Sequence, residues 1–365
     1  MGEAALVSLQ NTSTSSNNTL GVLPGPSPFN FSCEHGPIPS DEQLQGMFQS
    51  VCGCQIVSST LLVTPMVENF FNKFFLSISV IGNLLVILIL HRMRRGFFNS
   101  AMKVLLQNLS VADTAVCVLY NINEAIGRNS HFTLDSTCKL FTGLLWASLC
   151  CSSCSVCCVS IERYLAVVHP LEFNLTKRKA FLMAIFSWYY SLLFTFPDFY
   201  FVERVDLNAC TRGTVHLCLY SHWQGTDVIM MNLLNVTATF VVPLAVVLFT
   251  NISIMKILLF PNENTKQVQK SGDRRNRHSN VVIIVLLLTA IYVACSIPFA
   301  VYYVLTVIPQ KVELPKKFPQ VAYYLMLANS SCNPFVYSFF SADFRRECVR
   351  FLLTPYRWFK EHFLK

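Results

Sequence analysis

The chain has 365 residues, of which 53% are hydrophobic and only 13% charged, and its formal net charge is +8. Soluble domains carry roughly 25% charged residues, so this composition excludes a soluble enzyme, a disordered chain and a coiled coil, and points to a chain solvated by lipid. The basic residues form short clusters between apolar runs instead of one stripe, which argues against a nucleic-acid partner.

Residues 1–68 contain no Lys or Arg and are rich in Ser, Thr, Asn and Pro. Asn11, Asn17 and Asn30 each open an Asn-x-Ser/Thr acceptor, so this stretch reads as a glycosylated extracellular tail. No basic n-region precedes an apolar run, so no cleavable signal peptide is expected. Leu6 stands where N-myristoylation needs Ser or Thr.

Seven apolar segments follow, at 69–92, 101–127, 135–168, 180–202, 227–260, 279–308 and 319–341. Each can cross ~30 Å of hydrocarbon as a helix. Neither the ~10-residue alternation of a membrane barrel nor a repeat of roughly 20–50 residues is present. The expected fold is an all-α membrane protein, a seven-transmembrane helix bundle over 69–341. A short amphipathic eighth helix and cytoplasmic tail occupy 342–365. With the N-terminus outside, 20 of the 28 Lys and Arg residues fall on the inner side, which supports a multi-pass plasma-membrane chain with its C-terminus in the cytoplasm.

Cysteines divide along the same line. Cys33, Cys52, Cys54, Cys138, Cys210 and Cys218 lie outside or near the outer face, an even number that permits up to three bridges. Cys150, Cys151, Cys154, Cys157 and Cys158 cluster in the third span without His or carboxylate partners, which favours close helix packing over a metal site.

Ionisable groups inside a membrane are functional candidates by default, and Asp113 and the edge pair Glu162–Arg163 stand out. Asp113 ends Asn-Leu-Ser-Val-Ala-Asp in the second span, and Glu162-Arg163-Tyr164 closes the third. The seventh carries Asn329-Ser330-Ser331-Cys332-Asn333-Pro334, with Tyr337 beyond. Gly82-Asn83, Trp188, Pro243 and Cys295-Ser296-Ile297-Pro298 complete an ordered set. In this order the set resembles the rhodopsin-like (class A) G-protein-coupled receptors, over about 69–353.

That resemblance implies roles. Glu162, Arg163, Tyr164, Asn333, Pro334 and Tyr337 match the switch that couples such receptors to a heterotrimeric G protein. Asp113, Ser152, Asn329, Ser330 and Asn333 match a sodium pocket, the only cofactor implied. Cys138 matches the cysteine bonded to the second outer loop; of Cys210 and Cys218 in that loop, Cys218, nearer the fifth span, is favoured. The same loop is expected to form a hairpin near Gly213. Asp343-Phe344-Arg345-Arg346 opens a stretch resembling the family's eighth helix, with Phe344, Phe351 and Leu352 in lipid and Arg345, Arg346 and Arg350 toward phosphates. Cys348 there is a palmitoylation candidate. Pro298 and Pro334 mark kinks.

Four positions depart from the family pattern. Ser296 replaces a tryptophan, Asn251 a tyrosine, Tyr292 a phenylalanine and Ser153 a bulkier aliphatic residue. They put coupling efficiency, not the fold, in question.

Leu145 stands where aminergic receptors carry Asp, and Leu327 where opsins carry the retinal-binding Lys. Neither a monoamine nor retinal is therefore expected. Glu124, Thr142, Leu145, Trp146, Tyr303 and Tyr323, with Tyr302 and Tyr324, are the pocket candidates. An acidic cysteine-bearing tail and a hairpin loop favour a peptide ligand. A lipid or other small molecule, or ligand-independent or modulatory activity, are the alternatives. Arrestin and membrane lipids complete the expected partners. A transporter would show inverted repeats or broken helices. An intramembrane hydrolase would need His-Glu-x-x-His, Gly-x-Ser-x-Gly or paired aspartates, and none is present.

Overall fold

The computed structural model describes residues 65–93, 98–128, 135–169, 175–206, 216–219, 226–260, 272–307, 314–315 and 318–363. The acceptors Asn11, Asn17 and Asn30, with Cys33, Cys52, Cys54 and Cys210, lie outside them.

The helices are α1 (Pro65–Arg92), α2 (Ser100–Arg128), α3 (Asp135–Val168), α4 (Lys177–Phe201), α5 (Thr226–Val236), α6 (Val242–Leu259), α7 (Gly272–Val307), α8 (Phe318–Phe340) and α9 (Ala342–Phe363). A π-helical turn, Thr237–Val241, joins α5 to α6 into one span. Among the described residues, six spans are long and apolar enough to cross a membrane. Helix α8 falls short of that apolarity because Asn329, Ser330, Ser331 and Asn333 interrupt it, yet it contains no charged residue and packs between α7 and α1. It is the seventh member of the bundle, and its polar run faces inward.

Packing follows chain order from α1 to α4, and α3 also touches α6 and α7. Helix α3 is accordingly the most buried span, with 72% of its apolar stretch covered, against 28% for α1 and for α4. Helix α4 shows Phe181, Ile185, Tyr189, Leu193 and Phe196 to the outside. Such a stripe on a soluble protein would mark an interface; here it is the lipid face.

Local chemistry sets the helix ends and contacts. Thr176 caps α4, its hydroxyl oxygen accepting from the Lys179 backbone N–H at 3.3 Å. Asn99 caps α2 by accepting from the Met102 N–H at 2.7 Å. Ser341 caps α9 by accepting from the Phe344 N–H at 3.2 Å. Gly82 is required by close approach: a Cβ there would lie 2.7 Å from Pro334 Cγ, which brings α1 against the α8 proline. Trp188 on α4 donates to Asn108 Oδ1 at 3.0 Å, and the Asn108 amide donates to Ser155 on α3 and Ser187 on α4, tying three helices together.

Strands β1 (Glu203–Asp206) and β2 (His216–Leu219) pair antiparallel, with Arg204 opposite Cys218. A hairpin thus forms, as expected, in the loop between α4 and α5; its tip, including Gly213, lies outside the described residues. Cys138 at the start of α3 is disulfide-bonded. The Cys218 side chain, its expected partner, lies outside the described residues.

One expectation for α9 is corrected. Phe344 does not lie in lipid: it is 1% exposed, with its ring 6.1 Å from that of Tyr337. Leu352 is exposed as expected. Arg345 donates to the Ser338 and Phe339 carbonyls at 2.9 and 2.6 Å, closing the end of α8. Arg346 and Arg350 pair with Asp343 and Glu347 one turn back.

Candidate functional site

The candidate residues occupy three levels along the bundle. The outermost is an aromatic cluster. Trp146 on α3 lies with its ring 4.7 Å from Tyr303 and 6.1 Å from Phe299, both on α7. Phe299 meets Tyr323 of α8 edge-on at 5.2 Å, and Tyr302 and Tyr120 approach Tyr323 at 5.8 and 6.1 Å. The Tyr303 hydroxyl donates to Asn232 Oδ1 on α5, fixing α7 to the fifth span. Glu124 is half-buried and close enough to Tyr323 to act on it electrostatically. Leu145 packs against the cluster, and Thr142 is half-buried one turn away. Tyr302 is 5% exposed and belongs to the interior, whereas Tyr324 turns toward Phe71 and Phe75 of α1.

The middle level centres on Asp113 of α2, which is fully buried. Ser152 of α3 donates to Asp113 Oδ1 at 2.6 Å, and the Asn333 amide of α8 donates to Oδ2. Ser79 of α1 donates to the Asp113 carbonyl at 3.2 Å, and Asn83 donates to the Ser330 carbonyl at 2.9 Å. Four helices thus meet on one carboxylate and its flanking backbone, compensating part of its desolvation. Ser330 sits beside the carboxylate. Asn329 is half-buried and makes no hydrogen bond to it among the described residues.

At the innermost level Glu162 and Arg163 are 2% and 5% exposed and form a two-pronged ion pair. Asn99 donates to Glu162 Oε1 at 2.9 Å, so the residue that caps α2 also holds the acid of the pair. Sequence reasoning missed Asn99; its signal is an Asn just before a helix start. Tyr164 is half-buried, its ring 6.0 Å from Phe249 of α6. Tyr337 is fully buried between Phe98 and Phe344. Its hydroxyl has no partner among the described residues.

The four atypical positions are interior. Asn251 donates to Thr289 Oγ1 on α7 at 2.6 Å. Tyr292 is 1% exposed, with Ser153 beside its hydroxyl, though not in hydrogen-bond geometry. Ser296 is buried on α7, about one turn before Phe299.

Asp113 and the Glu162–Arg163 pair are not the only ionisable groups at membrane depth. Asp198 near the outer end of α4 is fully buried and accepts from the Asn235 amide of α5 at 2.7 Å. Thr239 in the π turn donates to Asn235 Oδ1 at 3.1 Å. An Asp beside Pro197 in an apolar run was the overlooked signal. The third-span cysteines pack as expected: Cys151 lies 3.5 Å from the Ser187 hydroxyl, and Cys157 donates to the Pro243 carbonyl at 3.4 Å. No metal-holding cluster occurs among the described residues. Cys348 lies half-buried against the inner core, and burial pushes its thiol pKa up.

The chain belongs to the 7 transmembrane receptor (rhodopsin family), whose family model matches residues 82–337. It is a family of receptors, not of enzymes.

Three relatives show the range. The chain is 27% identical over 287 residues to the Tachykinin-like peptides receptor 99D of Drosophila melanogaster, covering 72% of this chain and 52% of that protein, so it spans about half that receptor's length. To the C-X-C chemokine receptor type 5 of Rattus norvegicus it is 23% identical over 290 residues, covering 75% and 73%. To the Octopamine receptor beta-2R of Chilo suppressalis it is 22% identical over 302 residues, covering 73% and 74%.

Proposed function

We propose that the protein is a plasma-membrane receptor that binds an extracellular peptide and activates a heterotrimeric G protein. The carrying observation is the buried Glu162–Arg163 pair held by Asn99. A buried ion pair is weak evidence for stability, because a hydrophobic pair often packs as well in its place; a switch role accounts for this one. Separation of Arg163 from Glu162 gives the two-state element that coupling needs. Tyr164, Asn333, Pro334 and Tyr337 belong to the same switch. The N-terminus is extracellular and the C-terminus cytoplasmic, where arrestin would also engage.

A peptide is favoured by the hairpin over the outer end, by the aromatic cluster beneath it, and by relatives named as peptide and chemokine receptors. Leu145 in place of an acid opposes an amine ligand. Glu124, Thr142, Leu145, Trp146, Tyr303 and Tyr323 form the pocket; Glu124 supplies its negative charge.

Sodium fits the middle level by donor chemistry: the Asp113 carboxylate, the Ser152 hydroxyl and the neighbouring Ser330 are hard oxygen groups in a dry site. Asn333 holds the second carboxylate oxygen, and Asn329 completes the family set. Cys138–Cys218, glycans at Asn11, Asn17 and Asn30, and palmitate on Cys348 are the expected modifications. Burial against the core lowers the reactivity of the Cys348 thiol.

The test is G-protein activation in cells carrying sensors for all four Gα classes, with a peptide library, comparing wild type and Arg163→Ala. A response lost in Arg163→Ala supports the reading. Silence of wild type with confirmed surface expression and a full library, or an undiminished Arg163→Ala response, overturns it.

A further inference from the structure

On the lipid side of the bundle, α3, α4 and α6 enclose a crevice of about 430 Å³. That volume is within the ~300–1,000 Å³ range of small-molecule sites. Its walls are almost wholly apolar and include Cys154, Cys158, Ile161, Phe186, Tyr190 and Val246. Cys154, Cys157 and Cys158 line its α3 side, where larger side chains would narrow it. The Tyr190 hydroxyl bridges to the Ala238 carbonyl at 3.3 Å and closes one end. Leu182 and Met183, also in its walls, follow Lys177, Arg178 and Lys179 along α4 by about one to two turns.

Two features select the occupant. The polar groups in the walls are already engaged. Ser187 donates to the Ala184 carbonyl at 2.7 Å and accepts from Asn108 at 3.1 Å, and Tyr190 is bonded to Ala238. Both wall hydroxyls already give their protons to backbone carbonyls, so a carboxylate inside would lose water and find no hydroxyl donor, which favours a hydrocarbon chain. Secondly, the first turn of α4 carries Lys177, Arg178 and Lys179, all exposed, at a helix N-terminus that itself favours negative charge. Phe186 follows about 10 Å along the helix at ~1.5 Å per residue.

We propose that the crevice is an intramembrane lipid site that takes one acyl chain of an anionic phospholipid, whose headgroup is held over the first turn of α4. The walls connect inward: Cys157 and Val246 also pack in the cluster around Tyr292, so the occupant presses on an atypical position of the bundle. The proposal rests on membrane embedding alone and stands or falls separately from the receptor reading.

The test places the full chain in nanodiscs with trace phosphatidylserine or phosphatidylcholine bearing a mid-chain diazirine, or a photoactivatable sterol, and maps labelled peptides by mass. The expected result is labelling within 154–161 and 182–190, with the serine lipid about tenfold above the choline lipid. Val246→Trp and Cys158→Phe, each checked for folding by circular dichroism, abolish that labelling and leave other lipid-facing peptides labelled. Joint replacement of Lys177, Arg178 and Lys179 by Gln equalises the two phospholipids. Crevice labelling unchanged in either folded filling variant, equal labelling by both phospholipids in wild type, or labelling by the sterol above phosphatidylserine overturns the proposal.

Discussion

Asn251 and Thr289 join α6 to α7 by a direct hydrogen bond of 2.6 Å, with both residues buried. The Thr289 hydroxyl in turn donates to the Val285 carbonyl at 2.9 Å, so the link ends on the α7 backbone. Separation of the two helices must break it in an environment without water. Interhelical hydrogen bonds in membranes contribute about 0.6 kcal/mol on average and up to about 1.7. Thr289→Val keeps the shape and removes the acceptor. Basal G-protein activity should rise about 3- to 18-fold, the equivalent of that energy, in a nucleotide-exchange assay. Unchanged basal exchange would show that the seam does not open in signalling.

The ion pair at the end of α3 gives opposite effects for its two members. Glu162→Gln weakens the hold on Arg163 and should raise basal exchange. Arg163→Ala should reduce stimulated exchange by at least about tenfold, as the loss of one charged, hydrogen-bonded contact of roughly 1.5–3 kcal/mol requires. Both are read in the same exchange assay at matched surface expression.

The proposed sodium at the Asp113 level would stabilise whichever state holds it. Purified wild type should gain about 2 °C in Tm when NaCl replaces choline chloride at constant ionic strength, since ten times Kd of ligand contributes about 1.4 kcal/mol. Asp113→Asn keeps the size and removes the charge, and its Tm should not respond to the exchange of cations.

Asp198 and Asn235 fasten α4 to the fifth span beside the π turn. Asp198→Ala leaves the Asn235 amide buried without this acceptor and should cost about 1–3 kcal/mol. Asp198→Asn, which keeps an acceptor oxygen, should cost less. Thermal unfolding of the purified variants in one detergent separates the two.

Much of this arrangement was legible because membranes impose simple rules. Apolar runs longer than 20 residues must be helices, and ordered polar residues inside them must find one another; Asp113, Ser152 and Asn333 did. The seventh span is legible as the apolar run 319–341 although Asn329, Ser330, Ser331 and Asn333 lower its apolarity, and those polar residues carry the family resemblance. What escaped was pairing between positions far apart in sequence. Nothing local marks Asn251 as the partner of Thr289, or Asn99 as both a cap and a ligand of Glu162. Phe344 was misassigned because an amphipathic pattern gives the apolar face of a helix without saying whether protein or lipid covers it. Asp198 was passed over inside an aromatic stretch.

Tyr337 and Phe344 belong to successive helices, yet their rings meet at a tilt in one interior, with Phe98, just before α2, edge-on to Tyr337. Rotation of Tyr337 about the axis of α8 would therefore turn a gear whose next tooth is Phe344. Because Ser341 caps α9 and Arg345 grips the last carbonyls of α8, the two helices are jointed rather than loosely linked. Movement inside the bundle is thus transmitted to a helix lying outside it, and tension applied to that outer helix, by curvature or by a bound protein, reaches back to the same tyrosine.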